Sequence, residues 1–188
     1  MNRLALIVHV LTLCLWAGVL TGVSIAAATI FPTAKKLEAT STIFPQGTAD
    51  QWRLVAGRIA NQVFLVADTV QLVLCGAAIV TIVILGVRKA LKPGSALVIW
   101  LMALAGAVMT LAYHLLVLQP RMAQNLSGYW QNAAAGQTAL ADQFRAAFND
   151  DHPTASTVLV TITILVLVAG WAALWSGIGG KVINRDAA

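Results

Sequence analysis

Four long apolar runs, Leu4–Phe31, Val63–Val87, Ser95–Leu118 and Ala155–Trp175, constrain this chain more than anything else in it. An apolar run of about 20 residues spans the hydrocarbon core of a bilayer as a helix. A helix satisfies its own backbone polar groups in lipid, which an isolated strand cannot do. The expectation is an all-α fold: a four-helix transmembrane bundle forming one integral membrane domain over residues 1–188. Only 10% of the residues are charged, against about 25% in a soluble domain, so no separate soluble domain is expected.

The net charge of +5 is not a nucleic-acid signature. The bases sit at the ends of the runs, where Lys and Arg anchor spans to headgroups. None forms a stretch long enough to track a phosphate backbone. Arg3, Arg88, Lys89, Lys92, Lys181 and Arg185 fall on one side, and Lys35, Lys36, Arg53, Arg58, Arg121 and Arg145 on the other. The first set lies in short segments beside the spans, which weigh most in orientation. Both termini are therefore expected in the cytoplasm, with the chain in a bacterial inner membrane. The first run is far longer than a signal-peptide core of about 7–15 residues, so it reads as a retained span.

The connections carry turn chemistry. Pro32 to Gly47 is polar, and Thr48-Ala49-Asp50-Gln51 has capping-box spacing, so the second helix is expected to start there, ahead of its apolar part. Pro93-Gly94 breaks the chain before the third span, which is expected to stop at Gln119-Pro120. The long outer connection from Pro120 to Pro153 would hold a short surface helix, Thr138–Asn149, before Asp150-Asp151 and Pro153 open the fourth span.

Asp68 is the one acid inside any of the four runs. An acid at a helix centre costs on the order of 3 kcal/mol to insert, and such a residue usually has a partner. Counting at 1.5 Å per residue, Asp68 and His114 both lie about 6–8 Å inside the same face of the membrane. The expectation is a buried polar cluster of Asp68 and His114, with Gln71, Tyr113 and Ser24 in or near it. In the first span Gly18, Gly22 and Ala26 form a small-residue face suited to close helix packing. Trp16 lies mid-span, too deep for an interfacial anchor, and is expected to face other helices. Cys14 and Cys75 read as buried, unpaired thiols.

No cofactor is expected. His9 and His114 lie roughly 20 Å apart along the axis by the helical rise, so they cannot share one heme. Heme b on His9 alone, or copper among Cys14, Cys75, Met102 and Met109, forms the alternative class, since thiol and thioether suit Cu(I). There is no nucleophile–base pairing and no phosphate-binding glycine loop. The leading reading is a non-enzymatic small subunit or scaffold whose partners are the lipid bilayer and other membrane chains, or copies of itself. The alternative is a heme- or copper-handling redox or transport protein.

Several stretches together resemble a known family. They are the opening span with His9, Trp16 and Gly18; Ala56-Gly57-Arg58-Ile59; Gln119-Pro120-Arg121-Met122; and Phe144-Arg145. The chain resembles the bacterial four-span family called domain of unknown function 4149, related to transmembrane protein 205. That family often carries His-x-x-Ser before its last span, whereas here Ser156 stands one residue further from His152. The His-x6-Trp-x-Gly of the first span is also similar to the group containing copper-resistance D proteins and membrane protoporphyrinogen oxidase. That similarity implies a heme role for the position of His9. The four-span resemblance implies fold and location rather than an activity.

Overall fold

A computed structural model describes residues 2–45, 50–91 and 93–182, with side chains for 3–45, 50–91 and 93–176. Among these residues there are helices and turns but no strand. Helix α1 is Asn2–Lys36 and α2 is Gln51–Val87. Helix α3, Ser95–Tyr113, passes through a π-helical turn, His114–Leu118, into α4, Gln119–Ala134. Helix α5 is Thr138–Val182. Four helical stretches are each long and apolar enough to cross a membrane. This is an all-α, four-span membrane protein.

The prolines do not end helices where the sequence suggests. α1 runs through Pro32 and α5 through Pro153. A proline removes one N–H and crowds the carbonyl four residues back. At Pro120 the chain absorbs that conflict by widening: the Gln119 N–H bonds the His114 carbonyl, five residues back. The expected outer loop is therefore a helical hairpin. Its turn rests on Gly136 at φ 71°, with the Gln137 N–H on the Asn132 carbonyl at 2.9 Å. Such left-handed geometry favours glycine after a helix. The proposed surface helix is the first part of α5, which is 45 residues long. Thr48 of the expected capping box lies outside the described residues, as does Lys92. The Gln51 side chain instead holds the preceding loop, accepting from the Ser41 N–H at 3.3 Å and donating to the Pro45 carbonyl at 2.9 Å.

The chain divides into two compact units. The first comprises Met1–Thr21, Thr69–Leu111 and Val160–Ala188. Its interior is made of Leu13, Trp16, Trp100, Ile162 and Val166, with Ala78, Ala107, Ala169 and Ala173 fully buried between helices. Small side chains let backbones approach, a main source of helix association in lipid. Gly106 meets Leu165, 3.3 Å from where a Cβ would stand. Outward positions such as Leu11, Leu15, Val73, Met102 and Met109 are apolar and exposed, as a lipid-facing surface requires. Trp171 and Trp175, both exposed, meet edge to face at 4.9 Å, in the manner of interfacial aromatic belts.

The second unit comprises Gly22–Asp68 and Ala112–Leu159. Phe44, Leu54, Ala133 and Ala141 form its buried cluster, with Tyr129 and Trp130 packed against it. The Arg58 guanidinium lies over both Phe44 (5.6 Å) and Trp130 (5.3 Å), a cation–π arrangement. α4 and α5 approach closely at Gly128, where a Cβ would fall 2.6 Å from the Phe144 ring. Arg121 clamps the same pair of helices, its Nε donating to Asp151 at 2.8 Å and its Nη2 to the second carboxylate oxygen.

Candidate functional site

Asp68 and His114 belong to the second unit, and there they meet. His114 Nε2 lies 3.1 Å from Asp68 Oδ1, with the two side chains 7% and 10% exposed. α2 supplies the acid, and the π-helical turn supplies the imidazole at its first residue. Such a turn rotates every later side chain relative to an unbroken helix, and such turns are frequent at functional sites. The carboxylate accepts the Nε2 proton. Nδ1, at the other edge of the ring, is buried and has no hydrogen-bond partner.

The pair borders a cavity of ≈780 Å³ lined entirely by residues of the second unit. That volume falls within the roughly 300–1,000 Å³ of small-molecule sites. α1, α2, α4 and α5 all contribute to its wall. Phe31, Phe64, Met122, Leu126 and Phe148 make much of that wall apolar. Arg53, Tyr129 and Arg145 are its charged and phenolic members towards the hairpin. A second buried polar atom without a partner, Trp130 Nε1, belongs to a residue lining the same cavity. Leaving a buried polar group unsatisfied costs about 1–3 kcal/mol. Both residues line the cavity, and the two atoms lie covered behind its wall.

Gln71 belongs to the first unit, where its Oε1 accepts from the Trp16 indole at 3.3 Å. Tyr113 is 42% exposed and Ser24 is exposed too. Both lie in the second unit but not on the cavity wall. Depth alone placed them with the pair, whereas rotation about their helices turns them outward.

His9 lies in the first unit and is fully buried. The Trp100 indole donates to its Nε2 at 3.0 Å, and its Nδ1 lies 2.7 Å from Thr81 Oγ1. An indole can only donate, so Nε2 is the lone-pair nitrogen and Nδ1 carries the proton. The Thr81 hydroxyl in turn donates to the Ala77 carbonyl at 2.8 Å and accepts from His9. Both ring nitrogens are thus used within the protein. A heme iron on Nε2 would have to displace the Trp100 bond.

Among the other candidates, Cys75 is buried, but Cys14 is exposed, which corrects its assignment as an interior thiol. It sits one residue past buried Leu13, about 100° around the helix. Met102 and Met109 are 69% and 72% exposed, so three of the four soft-metal candidates face outward. Among the described residues no group of three or more His, Cys, Asp or Glu could hold a metal ion. Gly18 and Gly22 are exposed, with nothing within 4 Å of a notional Cβ, and Ala26 is half-buried. Trp16 is fully buried. Gly18, two residues on, is about 200° away around the helix, so among the described residues nothing packs on Gly18 or Gly22.

The sequence reading did not select Trp130, Arg145 or His152 as site residues, yet all three line the cavity. Arg145 and His152 share a face of α5 with Phe148, about one turn to either side of it. No family model, curated protein or solved structure matches this chain.

Proposed function

We propose that this integral membrane protein is a non-enzymatic binding protein that holds a small amphiphile in the cavity of its second unit. The observation that carries the reading is the pairing of an apolar cavity of ≈780 Å³ with two buried, unpartnered polar atoms on the residues around it, His114 Nδ1 and Trp130 Nε1. A mostly apolar wall with a few placed polar groups is how small-molecule sites are generally built. The test is native mass spectrometry of the protein released from lipid nanodiscs. Retained mass of one small molecule per chain is the expected result, lost in Gly57→Leu, which fills the wall opposite Trp130. A bare chain in both proteins would refute the reading.

A second reading has its own support. The outward Gly18 and Gly22 face suits a subunit or scaffold packing against other membrane chains or a second copy of itself. An intact oligomer in mild detergent that Gly18→Leu disperses supports it, and a strictly monomeric particle counts against it. Heme b on His9 or copper at the exposed sulfurs has less support, because His9 has both nitrogens engaged. Absorbance near the Soret band with metal analysis decides that point. Residence in a bacterial inner membrane with cytoplasmic termini, and membership of the four-span family that the chain resembles, belong to the same proposal. The basic residues close to the spans support the orientation.

A further inference from the structure

Building on the cavity reading, we infer that the ligand is a single-chain amphiphile with an anionic head, a carboxylate or a phosphate, and a hydroxyl near its far end. The head lies at Arg53 and Arg145, and the hydroxyl reaches His114.

The polarity of the wall sets this orientation. Along α2 the cavity runs from Arg53 to Asp68, fifteen residues or about 22 Å at the helical rise. At the Arg53 end the charged groups offered are donors. Two guanidiniums line the wall there, and the unpartnered Trp130 indole can only donate. Arg53 lies 3.5 Å from Asp50 and Arg145 lies 3.0 Å from Asp142. Each pair is an exposed one-turn contact, and a guanidinium with five N–H donors has others to give. At the opposite end the charge is reversed. Asp68 is buried there, and an anionic head beside it would meet a like charge in a low-dielectric setting. The head therefore belongs with the arginines.

The far end asks for a neutral group. The Asp68 carboxylate engages Nε2 of His114, which leaves the buried Nδ1 without a hydrogen-bond partner. A hydroxyl at the end of the chain can donate or accept and supplies that partner once the ring turns to it, where a plain methyl would leave it bare. Between the two ends Phe64, Met122 and Leu126 offer apolar wall for the chain. A fatty acid and a lysophospholipid share this chemistry, and the head preference separates them.

The experiment measures binding of four radiolabelled probes to the full-length protein in phosphatidylcholine nanodiscs. The probes are ω-hydroxyhexadecanoate, hexadecanoate, hexadecanol and hexadecanoyl lysophosphatidic acid. The two plain-chain anions are expected to bind about tenfold or more tighter than the alcohol, the gain of one charge-assisted hydrogen bond. The tighter of the two identifies the source of the head. ω-Hydroxyhexadecanoate is expected to exceed hexadecanoate by about fivefold, one neutral hydrogen bond. Arg53→Gln with Arg145→Gln, the first exposed and the second half-buried, should erase the first difference and leave the second. His114→Phe should erase the second and leave the first, and Asp68→Asn serves if that variant does not fold. Equal binding of acid and alcohol, or no gain from the hydroxyl, overturns this ligand class while amphiphile binding itself stands. Absence of binding by all four, with no mass retained from the membrane, overturns the cavity reading as well.

Discussion

Each unit buries a histidine on a helix, and the two are handled in opposite ways. In the first unit His9 is bonded at both nitrogens, to Trp100 and to Thr81, among close-packed side chains. In the second unit His114 is bonded at one nitrogen only, to Asp68, and its other nitrogen is bare at a residue lining a cavity. Burial is the same; the number of partners is not. A buried polar group with all its bonds made fixes helix register. One left with an open bond is a strain that a ligand can relieve. On the proposed function, the first unit serves stability and the second occupancy.

The largest effect expected from breaking this contrast is in the first unit. His9→Ala removes two buried hydrogen bonds, orphans the Trp100 indole and opens a void. It should cost about 3 kcal/mol, read as a lower unfolding midpoint in detergent, and the surviving folded fraction should still retain amphiphile. Next is Gly128→Ala. A methyl 2.6 Å from an aromatic ring carbon forces α4 from α5, costing about 1–3 kcal/mol, and it should weaken amphiphile retention because both helices line the cavity. Asp68→Asn should cost less, about 1 kcal/mol, since an amide still bonds Nε2, but it can donate as well as accept and no longer fixes where the ring proton sits. It should nevertheless change amphiphile binding severalfold; unchanged binding would make the Asp68–His114 pair a register device like His9. The smallest effect belongs to the outward face of α1. Gly18→Leu and Gly22→Leu should move the midpoint of the isolated chain by less than about 0.5 kcal/mol, because nothing stands near either position.

The membrane spans were legible because hydropathy over about 20 residues is a strong signal. Counting residues from the ends of the runs also put Asp68 and His114 at one depth, and they lie 3.1 Å apart. What counting could not supply was rotation. Tyr113 precedes His114 yet faces outward. Cys14 was misjudged for the same reason, since a shift of one or two residues moves a side chain to another face. The prolines hid the rest. Pro120 and Pro153 read as helix boundaries, so the segment between them read as a loop. A π-helical turn and continuous helix carry the chain through both. That same segment supplies Trp130 and Arg145, and much of the cavity wall went unseen with it.

The contrast between the two histidines can be measured directly. With 15N-labelled histidine in nanodiscs, the ring nitrogens of His9 and His114 are followed as ω-hydroxyhexadecanoate is added. His9 should show a proton on Nδ1 and a hydrogen-bonded lone pair on Nε2, and it should not move. His114 Nδ1 should start without a hydrogen bond and shift as the hydroxyl reaches it. A His114 signal that ignores the amphiphile while His9 responds, or two rings that behave alike, would contradict the account.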